Sequence, residues 1–269
     1  MSTAVVDRHP GSQFLNHTAI LTGRQLRGFG RMPVYLLMNL IQPMIWLFLF
    51  GQLFKSVVTI PGFEAQGNYL EFLTPGIVMM MALFGAAWTG TTFIQDMERG
   101  VMDRFLTSPT SRSALMVSSL LYQAVLTIVQ TSIVLGVAWL AGARFGGGFP
   151  GFLVLLLSAV LLTFIFGAFS NAVALLARQQ EALIGISQLL AFPIMFLSSG
   201  IMDTNLAPQW VQNVALFNPF EWAVTAGRDA LEGNMGDISV WTSLGLLTVF
   251  VVLLTWLATK AFRSYQRST

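Results

Sequence analysis

The residues able to carry chemistry are few, and most familiar constellations are missing. No cysteine occurs, which excludes disulfides, thiolate metal sites and a cysteine nucleophile. The two histidines, His9 and His17, stand near the start of the chain with no further ligand at metal-binding spacing. Only two lysines occur, Lys55 and Lys260, and no Gly-x-x-x-x-Gly-Lys phosphate loop is present. The chain is therefore not itself a nucleotide-hydrolysing motor. No paired carboxylates and no histidine-assisted nucleophile share a plausible site, which argues against an intramembrane enzyme.

What remains is two segments in which charges sit among apolar residues. The first runs from Gln95 through Asp96, Glu98, Arg99, Gly100, Asp103 and Arg104 to Phe105 and Leu106. Met97, Val101, Met102, Phe105 and Leu106 recur at spacings of three and four, which predicts a short amphipathic helix over 95–107. Pro109 ends it, and a Ser or Thr cap opens the next element. Two readings stay open here: a solvated connector, or a docking element that buries Phe105 and Leu106 in a soluble partner. The second segment is 203–238. An apolar run around Trp210, Val211 and Val214 begins at Pro208 and stops at Asn218-Pro219, and a second run, Phe220 to Leu231, carries Glu221, Arg228 and Asp229. Each run is too short to cross a bilayer. Together they predict a broken re-entrant hairpin over 206–232, with Trp210 and Trp222 at headgroup level. Glu221 and Arg228 are seven apart and share a face. They either meet a polar part of a cargo or sit in interfacial water and stabilise the hairpin.

The elements that must position these segments are set by hydropathy. Of 269 residues 55% are apolar and only 10% charged, against about 25% charged in soluble domains. The mean hydropathy is +0.69. These values describe an all-α polytopic membrane protein. Six stretches, 34–54, 70–94, 113–141, 151–177, 182–202 and 239–260, are long and apolar enough for spans. Pro193 is expected to bend the fifth. If the chain starts inside, Arg8, Arg24, Arg27, Arg31, Arg99, Arg104, Arg112, Arg178, Lys260, Arg263 and Arg267 lie on the inner side. Only Lys55, Arg144 and Arg228 then lie outside. That asymmetry fixes the orientation and puts both termini in the cytoplasm. Segment 12–31 alternates apolar residues with Arg24, Arg27 and Arg31, which predicts an amphipathic helix lying in the inner interface before Pro33. A net charge of +2 gives no nucleic-acid-binding surface.

The six-span layout resembles the membrane subunits of type-2 ABC exporters, the ABC-2 permease family. The likeness rests on Glu98-Arg99-Gly100, Asp103-Arg104-Phe105-Leu106 and Ser108-Pro109-Thr110-Ser111-Arg112 in the inner loop. It continues in Pro208, Trp210, Asn218-Pro219 and the long gap before the last span. Within the family it is most similar to the daunorubicin/doxorubicin-resistance branch of DrrB-like drug and lipid exporters. The resemblance implies a bacterial plasma-membrane protein that pairs with a second permease, a copy or a sister, and with two copies of a cytoplasmic ATPase. No cofactor is expected on this chain; ATP and Mg²⁺ belong to the partner. Glu98, Arg99, Gly100, Arg104, Phe105 and Leu106 match the family's coupling helix, with Arg24 and Arg27 also facing the ATPase. Pro208, Trp210, Asn218, Pro219, Glu221 and Arg228 match its outer re-entrant pair. The expected cargo is an amphiphilic drug or lipid, moved outward by alternating exposure of a cavity between the permeases and received on apolar walls to which Met79, Met80 and Met81 could contribute. A polysaccharide or glycolipid precursor is the alternative cargo. An ion-gradient-driven transporter fits less well, because no acidic residue lies well inside a span and no internal repeat is visible.

Overall fold

The computed structural model of the chain describes residues 10–31, 33–54, 68–98 and 112–265. Among them every regular element is helical. α1 (Pro10–Gly30), α2 (Pro33–Leu53), α3 (Tyr69–Ala87) and α4 (Thr91–Glu98) come first. They are followed by α5 (Arg112–Leu140), α6 (Gly148–Ala177) and α7 (Gln180–Phe196). A 3₁₀ turn at Thr204–Leu206 leads to the short α8 (Gln209–Ala215) and α9 (Pro219–Glu232), and α10 (Ile238–Tyr265) closes the chain.

Among the described residues four stretches are long and apolar enough to cross a bilayer: Tyr69–Glu98, Met116–Leu140, Gly148–Ala177 and Ile238–Ala258. Two further apolar helices, Leu37–Leu53 and Gln180–Phe196, are shorter. Leu37, Ile41, Ile45 and Phe48 on α2, and Leu189, Phe192 and Phe196 on α7, are exposed. Apolar faces this extensive belong in hydrocarbon or against another protein, not in water. The chain is an all-α polytopic membrane protein.

α6 is the hub and touches α3, α4, α5, α7, α9 and α10. Leu155, Leu162 and Ile165 are fully enclosed there. Without a hydrophobic drive between helices in lipid, small residues and interhelical hydrogen bonds set the packing. A Cβ on Gly147 or Gly151 would collide with the Ala230 carbonyl of α9, so those glycines let the two backbones touch. The Gly147 amide donates to Leu231 O at 2.8 Å. The Thr127 and Thr163 hydroxyls meet at 2.9 Å between α5 and α6, and Asn171 Nδ2 donates to Ser119 Oγ at 3.1 Å.

Two expected spans show their detail in the structure. The stretch 70–94 lies within the apolar stretch Tyr69–Glu98, and the small and hydroxyl residues that mark an interruption over Gly85–Thr92 coincide with a break: α3 stops at Ala87, the chain turns through Trp88–Gly90 and it resumes as α4. The cause is contact with α6. A Cβ on Gly90 would lie 2.5 Å from Ser170 O, so glycine allows a backbone approach that a regular helix with side chains would forbid. The Ser170 hydroxyl donates to Ala87 O at 2.7 Å and accepts the Gly90 amide at 3.0 Å, serving the backbone groups that the turn leaves open. The stretch 182–202 also ends early, because the helix stops at Phe196 and Leu197–Met202 leave it. The remaining boundaries fall within three residues of those expected, apart from the C-terminal end of α10, which runs on to Tyr265.

Candidate functional site

The charged residues of segment 203–238 assemble around the end of α7. Asn218 Oδ1 accepts the Phe220 amide at 2.9 Å, capping α9 at its start. Pro219 follows at the first helical position, where its missing N–H costs nothing. The other end of the Asn218 amide donates to Ile194 O at 2.6 Å and Leu197 O at 2.9 Å. Ile194 lies in the last turn of α7 and Leu197 is the cap residue that follows it, where the helix offers carbonyls no partner. One side chain thus opens one helix and closes another. Phe220 is fully buried, and a Cβ on Gly200 would lie 2.8 Å from its ring. Gly200 in turn lies so close to Gly76 of α3 that a Cβ on Gly76 would overlap the Gly200 carbonyl.

Glu221 and Arg228, two turns apart on α9, converge on one residue. Glu221 Oε2 accepts the Ser199 amide at 2.5 Å. Arg228 donates from Nη2 to Ser199 O at 2.7 Å and from Nη1 to Ser199 Oγ at 3.2 Å. The same Nη2 reaches Phe72 O of α3 at 3.3 Å, and the guanidinium carbon stands 3.8 Å above the Phe72 ring centre. Arg228 Nε is buried without a partner. The planar fork therefore ties α9 to the chain after α7 and to the start of α3, which a point charge could not do. A cavity of about 270 Å³ beside it is lined by Asp203, Glu221, Asp229 and Glu232 as well as Arg228. Burial pushes the Asp229 carboxyl above the usual range, against the Ser239 hydroxyl that bonds it at 2.8 Å. Burial raises Glu232 in the same way. Among the described residues no group of three His, Asp or Glu side chains could hold a metal ion. The chemistry here is mechanical: charges hold element ends together.

Pro208 immediately precedes α8, and Trp210 is 61% exposed. Trp222 donates from Nε1 to Leu216 O at 2.9 Å and packs edge-on against Phe250 of α10.

The other sequence-selected residues lie elsewhere. Glu98 ends α4 and is exposed. Arg24 and Arg27 are exposed on α1, Arg27 donating to Gly23 O at 3.1 Å. Arg99, Gly100, Arg104, Phe105 and Leu106 lie outside the described residues. Fifteen helical steps carry α3 from Phe72 to Ala87, about 22 Å at 1.5 Å per residue, and α4 with Glu98 follows, so the Arg228 cluster and Glu98 lie beyond opposite ends of that length. Sequence reasoning missed Ser199, Phe72 and Ser170, which act through backbone groups or a single hydroxyl. The run Ser198-Ser199-Gly200 after Pro193 carries a loop signal that could have shortened the fifth helix. Of the Met run, Met79 is buried and meets Gly227 of α9. Met80 and Met81 border a cleft near α4.

A family model described as ABC-2 type transporter matches residues 16–231, from within α1 to the last turn of α9. The chain is similar to the daunorubicin resistance ABC transporter permease protein DrrB1 of Streptomyces coeruleorubidus, with 28% identity over 86% of this chain and 81% of that protein. It is 31% identical to the transport permease ycf38 of Cyanophora paradoxa over 78% of this chain and 72% of that one. The DrrC permease of Mycobacterium tuberculosis, named for doxorubicin resistance, is 28% identical over 91% of both chains.

Proposed function

The chain belongs to the ABC-2 type transporter family, and on that premise we propose how its parts work in export. It is a membrane permease subunit of an ABC exporter that handles a drug-like or amphiphilic cargo, and ATP is hydrolysed by its partner. The ATPase uses ATP and Mg²⁺; this chain supplies the path. Two permeases, identical or sister, stand over two ATPase copies in a bacterial plasma membrane. Six spans are completed by α2 and α7 beside the four long ones, with both termini cytoplasmic, as the arginine asymmetry favours.

Segment 95–107, with Glu98, Arg99, Gly100, Arg104, Phe105 and Leu106, is the coupling helix that follows ATPase closure. α1 lies in the inner interface and adds Arg24 and Arg27 to that contact. α8 and α9 re-enter the outer leaflet and close the outer end of the path, with Pro208 and Asn218-Pro219 setting their bends and Trp210 at the headgroups. Glu221 and Arg228 then keep that closure attached to α3. Because α3 runs from this clamp to α4, movement at the coupling end has a helical route to the outer gate. The observation that carries the reading is the family match over residues 16–231, which takes in α1, α4 and the α8–α9 pair.

Co-reconstitution with the candidate ATPase in proteoliposomes tests it, with an anthracycline screened against a lipid panel. Cargo should move only with ATP, and Glu98→Ala/Phe105→Ala should lose both ATPase docking and transport. A permease that binds no ATPase, and moves cargo on a pH or sodium gradient instead, would overturn the coupling assignment.

A further inference from the structure

A cleft of about 720 Å³ opens between α1, α2, α5 and the α3–α4 junction, at the far end of α3 from the Arg228 clamp. Its size is that of a site for a drug-sized molecule, roughly 300–1,000 Å³. Three features of its wall say what it takes. Carboxamides are concentrated there: Gln25, Asn39, Gln42, Gln123 and Gln130 come from three helices. Among the described residues no charged side chain lines it. Two buried acceptors in the wall, Gln25 Oε1 and Thr89 Oγ1, have no hydrogen-bond partner in the protein. Thr89 is 6% exposed and stands in the turn that breaks the span, where the backbone is held by Ser170 and the hydroxyl is left over.

Buried polar groups are normally satisfied, so two residues of one cleft wall that each hold an unpaired, solvent-shielded oxygen leave hydrogen-bonding capacity over for a ligand or its water stand-in. Carboxamides both donate and accept, and an uncharged wall in hydrocarbon penalises a full charge that it cannot pair. The opposite side supplies Met80, Met81, Phe84 and Trp88, adaptable apolar and aromatic surface for a flat body. We infer that this cleft, within a single permease subunit, binds a neutral amphiphile whose hydroxyl or carbonyl groups are read by Gln25, Thr89 and Gln123 and whose apolar body lies on Met80, Met81 and Phe84. The inference rests on the exporter reading for the purpose of the site, which is to receive cargo at the coupling end, and not for the binding itself.

The absence of native cysteine makes the test clean. Thr92→Cys places one thiol on the cleft wall, and Phe217→Cys places one on an outer surface that is 81% exposed. Each is reacted with N-ethylmaleimide in nanodiscs, without ATPase, in the presence of Nile red or cresyl violet. These are fused-ring dyes of one type, the first neutral with a ring carbonyl, the second cationic. Nile red should slow labelling of Thr92→Cys severalfold and saturably while leaving Phe217→Cys unaffected, and cresyl violet should protect much less. Adding Gln25→Leu and Thr89→Val, which removes the carboxamide N–H and the hydroxyl that donate to the dye's carbonyl, should weaken Nile red protection by about tenfold to thirtyfold, the worth of two hydrogen bonds. Should Thr92→Cys not purify as a monodisperse protein, Gln130→Cys serves in its place. Equal protection by both dyes, protection unchanged in the double variant, or labelling that neither dye slows would overturn the site. Protection without ATP-driven transport would instead remove the exporter role and leave the site standing, whereas transport without protection would do the reverse.

Discussion

Replacing Arg228 by lysine keeps the charge and most of the length of the side chain, so it isolates what the guanidinium fork contributes. Arg228 makes three hydrogen bonds, at 2.7 and 3.2 Å to Ser199 and at 3.3 Å to Phe72 O, and its guanidinium carbon stands 3.8 Å from the centre of the Phe72 ring. An ammonium can keep the shortest of these but not all three, and it loses the delocalised cation's contact with the ring. A hydrogen bond to a charged group is worth about 1.5–3 kcal/mol in water-soluble proteins, and interhelical bonds in membranes average nearer 0.6 kcal/mol. Losing the two longer bonds and part of the cation–π contact should therefore cost about 2 kcal/mol. Arg228→Met, which also leaves Ser199 O without its donor, should cost more. Thermal unfolding of the purified permease in one fixed detergent measures both. The expected order of stability is wild type, then Arg228→Lys, then Arg228→Met. A lysine variant that melts with wild type, or a methionine variant more stable than the lysine one, would refute the clamp. Glu221→Gln should be mild, because its amide oxygen can still accept the Ser199 amide.

Gly76→Ala should prevent folding or lower stability by more than about 3 kcal/mol, since the added methyl meets the Gly200 backbone. Gly23→Ala on α1, where a Cβ meets nothing within 4 Å, should be neutral or gain up to about 1 kcal/mol; expression and melting temperature of the two variants check the contrast. Asn218→Asp keeps the cap on Phe220 but cannot donate to Ile194 and Leu197, so it should loosen the end of α7 while α9 stays capped. Hydrogen exchange should rise at 194–198 and not at 219–222. The raised Asp229 carboxyl has a folded-state pKa above its unfolded one. Its favourable contribution is thus fully present below the unfolded pKa and is lost as pH rises through the folded one. Melting temperatures across that pH range should fall less with rising pH for Asp229→Asn than for wild type, provided that the amide oxygen keeps the Ser239 bond.

The sequence by itself determined the class of molecule, the approximate course of its helices and the two short helices that meet at Asn218-Pro219. Those depend on signals local to the chain: uninterrupted apolar runs and punctuation such as Asn218-Pro219. Even the proline at the first turn of α9 and the asparagine cap before it are readable, because a cap acts within three residues of itself. The small and hydroxyl residues from Gly85 to Thr92 mark the interruption of the second span in the sequence, but tertiary structure decided its residues and partners, where the fifth stops and what Glu221 and Arg228 hold. The break at Trp88–Gly90 depends on Ser170, eighty residues away. The Arg228 clamp reaches Phe72 across 156 positions. The Gly76–Gly200 contact and the carboxamide-lined cleft likewise join residues from helices whose own patterns give no hint of one another. Hydropathy records which residues leave water but not which helix they meet. That choice is made by small residues, hydroxyls and backbone carbonyls, whose partners exist only once the helices are packed.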